Sequence, residues 1–349
     1  MPTTLAEIGE LELLANFIQP FVTSEEGTAG DDCAHIRLES KKLLWSMDPC
    51  PTPVAALLGV ATPATWGWYT ATINISDIAA CGGHPLGLLV SLELRDDTDA
   101  SFVQEFQEGL RDALNQYQTP LLGGNVKSAP RFSATGTVLG AAGLFPVTRS
   151  IAGEVFDAFL VGECGHFWAG VMGYAKGWGL TADAERKRLE DAVLRPQAKV
   201  DAGLKLSSLG IPIACMDCSD GAANALFQLA QKNSIDLALE GAPDWAIRDS
   251  ARSLLLSHEI RMENACYQFG DWQLACIVRR EDRDLFAREM NKFALTYMGS
   301  GIRGLPGVRT LTGARLNPQS LNQNFSGGYN SITGVDDLIT RFMSPQIFI

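Results

Sequence analysis

The chain has 349 residues, which is long for a single hydrophobic core, so we expect two domains. Its formal net charge is −12, and this argues against non-specific binding to nucleic acid or to an anionic membrane, because phosphate backbones attract clustered Lys and Arg. No basic-then-apolar leader and no apolar run of roughly 18 residues is visible, and the eight cysteines follow no disulfide pattern, so we expect a cytoplasmic protein with reduced thiols.

The first half of the chain alternates helical and extended patterns. Apolar residues recur at helical spacing in 11–21 and again after Thr98 or Asp99 as far as Tyr117. Helices are predicted over 11–21, 65–80 and 99–117, and strands over 43–48, 86–94, 121–125 and 133–144. The strand at 121–125 is expected to end in a Gly-Gly turn, and the first domain, 1–147, is expected to end near Pro146.

The pattern restarts after Ser150, which predicts a second domain over 148–316. Strands are predicted over 156–162, 211–216, 235–239 and 271–278, and helices over 182–206 (broken at Pro196), 222–232, 249–256 and 283–297. The remaining residues, 317–349, are rich in Asn, Gln, Ser and Gly and are expected to form an irregular C-terminal tail. Tyr329, Phe342 and Phe348 are its expected anchors.

Two related stretches carry a Ser-Asp pair. In 73–85, Ser76 or Asp77 is a candidate N-cap of a helix, the small residues that follow allow another backbone to approach closely, and Pro85 is expected to stop the helix. The second stretch, 216–221, contains Asp217, Ser219 and Asp220. Two such stretches in one chain suggest two half-sites or two related halves.

Several carboxylates are predicted at strand ends or at strand-to-helix turns, where side chains point into clefts. They are Asp31, Asp32, Asp48, Asp77, Asp217 and Asp220. Carboxylates suit Mg²⁺ bound together with phosphates, so the acidic net charge leaves a nucleotide ligand open. Each one alone is better explained as a helix cap or a turn residue, but six in matching contexts favour a metal site.

Further candidates for a phosphate site are weaker. The Gly123-Gly124 turn could present backbone N–H groups to a phosphate, Asn125 could cap the turn or ligate a metal, and Arg149 could pair with a phosphate or form a surface salt bridge. The letters of 299–304 match a dinucleotide fingerprint, but no strand is predicted before them and no helix after them. No P-loop motif is present, and Cys215 and Cys218 lack a second ligand pair for zinc.

Taken as an ordered set, these segments resemble thiamine-monophosphate kinases, which belong to the superfamily of aminoimidazole ribonucleotide synthetase (PurM-like). The resemblance rests on 30–34, 46–48, 74–80, 123–125, Arg149, 195–196 and 217–221. It implies an α+β, two-domain PurM-like fold, with an N-terminal domain whose β-sheet dimerises and a C-terminal α/β sandwich. It also implies a homodimer that pairs through its N-terminal domains and binds ATP, with Mg²⁺, near that interface.

By the same matching, the resemblance assigns roles to individual residues. It implies metal ligands at Asp32, Asp48, Asp77, Asp217 and Asp220, assisted by the Ser46 backbone, and Asp48, Asp217 and Asp220 are the catalytic candidates. Asp31 stays a candidate metal ligand from the carboxylate pattern alone. Contacts to ATP are expected from Gly123, Gly124, Asn125, Arg149 and Ser219. Phosphoryl transfer requires mainly positioning and charge neutralisation, so this set agrees with the reading from the residues alone.

The chain departs from the family pattern mostly in the substrate half. The family has Asp where this chain has Asn125, and it has a substrate-facing Glu where this chain has Gly270. The His-Phe pair that follows Asp48 in the family is absent from 49–55, and the C-terminal aromatic segment is echoed only around Tyr329. The sequence therefore predicts an ATP- and Mg²⁺-dependent phosphotransferase whose small-molecule acceptor is not thiamine monophosphate.

Two alternatives stay open at this point. The first is ATP-dependent activation of an amide or carboxylate oxygen, leading to dehydration, ring closure or amidation. The second is a nucleotide-binding protein without catalysis, which the neutral residues Asn125 and Gly270 would allow.

Overall fold

The structure is a computed structural model that describes residues 34–38, 41–95, 97–179, 183–240, 246–247, 249–322 and 328–349. The helix predicted over 11–21 and the carboxylates Asp31 and Asp32 lie outside the described residues. Within them, no helix is both long enough and apolar enough to cross a membrane.

The first domain is a five-stranded sheet covered on one face by helices. Its strands are β1 (Ala34–Leu38), β2 (Lys41–Pro49), β3 (Gly83–Leu94), β4 (Leu121–Ser128) and β5 (Ser133–Ala142), in the spatial order β1-β2-β5-β3-β4. Its helices are α1 (Val54–Leu57), α2 (Pro63–Ala80) and α3 (Ala100–Gln116). Residues alternate between a buried and an exposed face along β3 and β5, as expected for a sheet with one face covered.

The second domain is built around a six-stranded sheet. Its strands are β6 (Val155–Val161), β7 (Ile213–Asp217), β8 (Ile235–Leu239), β9 (Leu274–Arg279), β10 (Leu295–Arg303) and β11 (Gly307–Thr310), in the spatial order β11-β8-β10-β6-β9-β7. Its helices are α4 (His166–Lys176), α5 (Asp183–Leu194), α6 (Val200–Ser208), α7 (Ala222–Asn233), α8 (Asp249–Ser257), α9 (Met262–Tyr267), α10 (Arg283–Met290) and α11 (Val335–Met343).

The C-terminal end of α2 packs closely against α6 of the second domain and against the sheet of its own domain. A Cβ atom added at Gly203, on α6 of the second domain, would lie 2.1 Å from the carbonyl oxygen of Ala79. At Gly140, on the covered face of the first sheet, it would lie 2.8 Å from a methyl group of Ile78. The close backbone approach predicted from the small residues after Asp77 is confirmed at these contacts.

Three expectations about elements are wrong. Pro85 lies inside β3 and does not stop α2, which ends at Ala80. Gly123 and Gly124 lie within β4, not in a turn after it. The predicted helix over 283–297 ends at Met290, and β10 begins at Leu295, because a 3₁₀ turn and a left-handed Ala294 separate the two elements.

The C-terminal residues pack on the second domain. The ring of Phe342, on α11, lies 4.8 Å from that of Phe269, and the ring of Phe348 lies 5.4 Å from that of Tyr267 (centroid distances). The Tyr329 ring lies 5.4 Å from Phe269. The predicted aromatic anchors are therefore confirmed, although the segment includes a helix that was not predicted.

Candidate active site

The candidate site lies where the two domains meet, at the ends of three elements. Asp48 is the second-last residue of β2, Asp77 is in the last turn of α2, and Asp217 is the final residue of β7. Asp77 is 9% exposed and Asp217 is 3% exposed. The structure thus brings carboxylates from both predicted half-sites to one place.

Hydroxyl groups hold the two buried carboxylates. Ser76 Oγ, on α2, donates a hydrogen bond of 2.7 Å to Asp217 Oδ2 and so joins the first domain to the second. Ser219 Oγ donates to the other oxygen of Asp217 at 3.1 Å, and the Ser46 hydroxyl donates to Asp77 Oδ2. These bonds fix the orientation of both carboxylates without neutralising their charge.

The electrostatics of the pair favour a bound cation. Burial raises the pKa of Asp77 well above its usual range, and repulsion from Asp217 and then Asp48 raises it further. Burial also raises the pKa of Asp217, although the Ser76 hydrogen bond and the charge of Arg149 oppose that rise. Two carboxylates in one buried site resist joint ionisation unless a positive charge is present.

Asp77 is not the N-cap that its sequence context suggested. α2 begins after Thr62, which forms a capping box with Thr65, and Ser76 and Asp77 lie in its C-terminal turn. The negative end of a helix dipole disfavours a carboxylate there, so this position is costly for the metal-free fold. A buried acid in an unfavourable position is typical of a functional group rather than a cap.

The end of β2 is tied to α2 through the buried side chain of Asn74. Asn74 Oδ1 accepts a hydrogen bond of 3.0 Å from the backbone N–H of Asp48, and its Nδ2 donates to the Asp48 carbonyl at 3.3 Å. The neighbouring residue on β5 is Gly136, where a Cβ atom would lie 2.3 Å from Asn74 Nδ2. Asn74 therefore holds Asp48 at the edge of the site, and the glycine leaves space for its amide.

Asp220 follows β7 and is reached by the C-terminal segment. Asn322 Nδ2 donates to Asp220 Oδ1 at 2.9 Å, while Asn322 Oδ1 accepts from the backbone N–H of Tyr329 at 3.0 Å. The next residue, Gly221, has φ +101°, and a Cβ atom there would lie 2.9 Å from the carbonyl oxygen of Tyr267. The backbone after Asp220 therefore requires glycine at position 221.

The register of the first sheet separates Asn125 from the carboxylates. Asp48, Gly136, Val90 and Gly124 form one row across β2, β5, β3 and β4, and their side-chain face is the covered one. Asn125 lies in the next row, beside Ser91, and therefore points to the opposite, exposed face. Gly124 is about 14 Å from Asp48, since three strand spacings separate them. ATP contacts by Gly123, Gly124 and Asn125 stay a prediction.

Arg149 lies on the other side of the site, close enough to lower the pKa of Asp217. Its Nη1 donates to Gln228 Oε1 at 3.3 Å, and its carbonyl oxygen accepts from Asn233 Nδ2 at 2.8 Å. These contacts anchor the arginine to α7. The structure thus brings Arg149, Ser219 and Asp217 together, while the ATP contacts of Arg149 and Ser219 stay a prediction.

The described carboxylates do not form a complete metal cage. Among the residues that the structure describes, no group of three or more His, Cys, Asp or Glu side chains is arranged to hold a metal ion alone. Mg²⁺ commonly takes only one or two protein carboxylates and completes its shell with water and phosphate oxygens. The oxygen donors of Asp77 and Asp217 fit such a shared site.

Comparison with known proteins places this geometry in a family. Residues 30–142 match the family described as "AIR synthase related protein, N-terminal domain". The thiamine-monophosphate kinase of Synechococcus elongatus is 30% identical over 248 residues, which is 69% of this chain and 74% of that protein. The chain belongs to the thiamine-monophosphate kinase family. The resemblance predicted from the motifs, and the kinase-like class of enzyme that goes with it, are confirmed at the level of the family.

Two further relatives agree with this assignment. The thiamine-monophosphate kinase of Aquifex aeolicus is 29% identical and covers 76% of this chain and 80% of its own length. A solved structure of AaThiL complexed with AMPPCP and TMP has a TM-score of 0.77 at 25% identity, covering 91% of this chain and 98% of that one. The predicted two-domain, α+β PurM-like fold is therefore confirmed.

The chain differs from the family pattern at Gly270 for a steric reason. Gly270 has φ +126°, and a Cβ atom there would lie 2.0 Å from Cδ1 of Phe167. The following residue, Asp271, accepts backbone hydrogen bonds from Gly165 at 2.5 Å and Phe167 at 2.8 Å. No side chain fits at position 270 in this backbone, so the glutamate expected there in the family is excluded.

Sequence reasoning missed the positioning residues of the site. The motifs include Asn74 without indicating its contact, they favour Ser76 as a helix cap, and they contain no signal for Asn322. The spacing on α2 could have indicated two different contacts, since Asn74 and Asp77 are three residues apart and share one face of the helix, whereas Ser76 points to another side. No local signal marks Asn322, because its partner Asp220 is 102 residues away.

Proposed function

We propose that this protein is an ATP- and Mg²⁺-dependent phosphotransferase that acts on a small molecule. The observation that carries the proposal is the buried pair of Asp77 and Asp217, which come from two domains, are held by serine hydroxyls, and have raised pKa values. Such a pair suits a hard divalent cation that is shared with phosphate oxygens. The solved relative complexed with AMPPCP supports ATP as the source of those oxygens.

Each residue then has a defined part in the reaction. Asp48, Asp77, Asp217 and Asp220 would hold Mg²⁺, and Asp31, Asp32 and Ser46 are proposed to assist them. Bound Mg²⁺ neutralises charge on the phosphates. Arg149 orients the triphosphate next to Asp217, and Ser219 and the 123–125 segment contact the nucleotide. The protein thus contributes positioning and charge, which phosphoryl transfer mainly requires.

We further propose that the acceptor is not thiamine monophosphate. The absence of a side chain at Gly270 and the absence of a His-Phe pair in 49–55 support this, because both alter the half of the site where the family places its substrate. The relatives are named for thiamine monophosphate, so that compound is the first acceptor to test.

The experiment incubates the protein with ATP and Mg²⁺, with thiamine monophosphate in one arm and a metabolite extract in another. Mass spectrometry follows any compound that gains a phosphate. We expect a phosphorylated product from the extract only, and its loss in Asp217→Asn but not in the control Asp336→Asn, which changes a carboxylate that is 88% exposed. Turnover of thiamine monophosphate would overturn the acceptor proposal.

Other outcomes decide between the remaining alternatives. A product that has lost water, with release of ADP and phosphate, would replace phosphoryl transfer by dehydrating activation. Thermal stabilisation by Mg²⁺-ATP without any turnover would indicate nucleotide binding without catalysis. A melting temperature that Mg²⁺-ATP does not change would contradict the nucleotide assignment itself.

We also propose a cytoplasmic homodimer. The seven described cysteines are free thiols, which fits a reducing compartment. The exposed face of the first sheet carries large apolar side chains, including Trp45 at 48%, Met47 at 67% and Leu89 at 41% exposure. An exposed face that carries several large apolar side chains is typical of a protein interface.

A further inference from the structure

A polar cavity of about 420 Å³ lies beside the candidate active site. It is bounded by α5, by the connection 195–199 that leads into α6, and by the segment 270–272. That segment continues from residues that pack directly against the Asp220 turn, since a Cβ atom at Gly221 would lie 3.0 Å from the backbone nitrogen of Phe269. The wall formed by 270–272 therefore lies within three residues of Phe269, whose backbone packs against Gly221 next to Asp220.

Four basic side chains and three carboxylates line this cavity, so its charge is slightly positive in a chain whose net charge is −12. Two of its cations are already paired: Lys187 with Asp191, and Arg188 with Glu163. Arg195 and Lys199 remain, and the carboxylate that faces Lys199 is Asp271. Local positive charge in an acidic protein indicates a place that attracts anions.

Lys199 is held in position with its ammonium group partly removed from water. Burial lowers its pKa, and Asp271 opposes this change. Its Cε would lie 3.0 Å from a Cβ atom at Gly162, so the glycine leaves space for the lysine stem. Both oxygens of Asp271 already accept backbone hydrogen bonds, and among the described residues no carboxylate lies within ion-pair distance of Lys199. A desolvated ammonium group gains most from an added anionic partner.

Arg195 approaches the same cavity from a fixed backbone. Its guanidinium lies 5.3 Å from the ring centroid of Trp68, and the indole N–H of that residue donates to the carbonyl oxygen of Pro196 at 2.7 Å. The stacked guanidinium keeps its N–H groups available in its own plane. Trp272, which is 6% exposed, forms an apolar wall beside it.

We infer that this cavity binds an anionic group, a phosphate or a carboxylate, through Lys199 and Arg195. The inference deepens the proposed function, on which it rests in one respect: the anionic group belongs to the acceptor, at the end away from the atom that receives the phosphoryl group. The acceptor is thus a small molecule with a negatively charged group of its own.

The first test locates the anion without nucleotide or metal. The full chain, in EDTA, is acetylated with trace acetic anhydride at increasing inorganic phosphate, and peptide mass spectrometry measures the rate at each lysine. Phosphate is expected to slow acetylation of Lys199 at least threefold and to leave Lys205 unchanged. Lys205 is a suitable internal reference because it lies on α6 and pairs with Glu289, away from the cavity. Equal protection of both lysines, or none, would overturn the inference.

The second test measures phosphate affinity by calorimetry. Lys199→Gln and Arg195→Gln are each expected to weaken phosphate binding roughly tenfold, the loss that follows from one charged hydrogen bond. Lys199→Arg keeps the charge and is expected to stay within about threefold, and Lys205→Gln is the matched control. If Lys199→Gln fails to fold, the exposed Arg195 still gives an answer. If Lys205→Gln weakens phosphate binding as much as Arg195→Gln does, phosphate does not bind specifically at this cavity and the inference is wrong.

The extract experiment separates a free phosphate from an anionic acceptor. A phosphorylated product whose parent carries a phosphate or carboxylate, and whose formation inorganic phosphate inhibits, supports the inference. If the phosphorylated compound carries no anionic group before the reaction, the anion-site inference is wrong, although the proposed phosphoryl transfer is supported. If phosphate slows acetylation of Lys199 but no compound is phosphorylated, the anion site is supported and the proposed function is contradicted.

Discussion

At the scale of single residues, the candidate site places groups where they are unfavourable without a ligand. Asp77 lies buried at the negative end of α2, within repulsive reach of Asp217 and Asp48. Burial and like charge both oppose its ionisation, so the metal-free fold carries a cost that a bound cation would remove. Stability and function therefore make opposite demands on this position.

The variant Asp77→Asn tests that conflict. The amide oxygen still accepts from Ser46, and the charge is gone, so we expect the metal-free protein to be stabilised by about 1.4 kcal/mol for each unit of raised pKa that is relieved. Phosphoryl transfer should fall at least roughly a hundredfold, because one anionic metal ligand is lost. Thermal unfolding in EDTA and turnover assays measure the two effects. A less stable and fully active variant would contradict the proposed role.

The same carboxylates set the pH dependence of the metal-free protein. Their pKa values are raised on folding, so the folded state binds more protons than the unfolded state at pH values above the ordinary aspartate pKa of about 3.9. Stability from these groups is therefore full at low pH and falls as the pH rises through the raised values. In EDTA, the advantage of Asp77→Asn over the original chain should grow from about pH 5 to about pH 8. A constant difference in melting temperature would refute this.

Gly270 offers a test of the steric argument. Gly270→Ala places a Cβ atom 2.0 Å from Phe167 at φ +126°, so we expect a loss of at least about 2 kcal/mol in unfolding free energy. Gly304→Ala is the control, since nothing lies within 4 Å of its Cβ position, and it should change stability by less than about 0.5 kcal/mol. Denaturant unfolding gives both values. Equal stability of the two variants would show that residue 270 tolerates a side chain.

At the scale of elements, the sequence predicted helices best where their ends had distinct signals. The bounds of α3 and α7 agree with prediction because Asp99 and Gly221 precede clear helical patterns. The pattern predicts a helix over 65–80, close to the observed Pro63–Ala80, but it also predicts Ser76 or Asp77 as an N-cap, which is wrong. A Ser-Asp pair has the same letters at the start of a helix and at a functional C-terminal turn, and only the partners across the domain junction distinguish the two.

Non-local pairing explains the remaining errors. Gly123 and Gly124 suggested a turn, but hydrogen bonding to β3 keeps them extended. A Cβ atom at Gly124 would lie 1.9 Å from the Val90 carbonyl oxygen, so the glycine there reflects a neighbouring strand. Likewise, residues after Met290 turn into β10 because they pair with β6 and β8. Sheet partners far apart in the chain leave little local trace.

The C-terminal segment connects the two halves of the site. Asn322 donates to Asp220, and the Tyr329 hydroxyl donates to the carbonyl oxygen of Thr52, four residues after Asp48. Gln268 Nε2 also donates to Ser320 at 3.0 Å. The segment predicted as an irregular tail is therefore part of the wall around the carboxylates.

The variant Asn322→Ala tests whether the hydrogen bond from Asn322 to Asp220 positions that carboxylate. We expect kcat to fall about tenfold, since a misplaced ligand costs roughly one charged hydrogen bond in the transition state, while the KM for ATP changes little. Asn317→Ala is a control in the same segment, because the Asn317 side chain bonds to the exposed Gln346 carbonyl. Higher Mg²⁺ should partly restore Asn322→Ala. A fall in both variants, or in stability alone, would assign the segment a purely structural role.

At the scale of the whole molecule, the two faces of the first sheet differ in kind. One face is covered by α2 and α3, whereas the other carries Trp45, Met47 and Leu89, each more than 40% exposed. β4 lies at the edge of this sheet, and all its residues are exposed. An edge strand and an apolar face left open to water favour association of two copies.

Met47→Glu tests association through that face. The Met47 side chain is 67% exposed in the single chain, so a charge there should cost the folded monomer little, but burying it between two copies without a partner would cost several kcal/mol. We therefore expect sedimentation velocity to show a dimer for the original chain and a monomer for Met47→Glu. Leu305→Glu, at a position 82% exposed on the second domain, is the control and should remain dimeric. A dimer in both variants would place the interface elsewhere, and a monomeric original chain would show that the sheet face alone does not drive association.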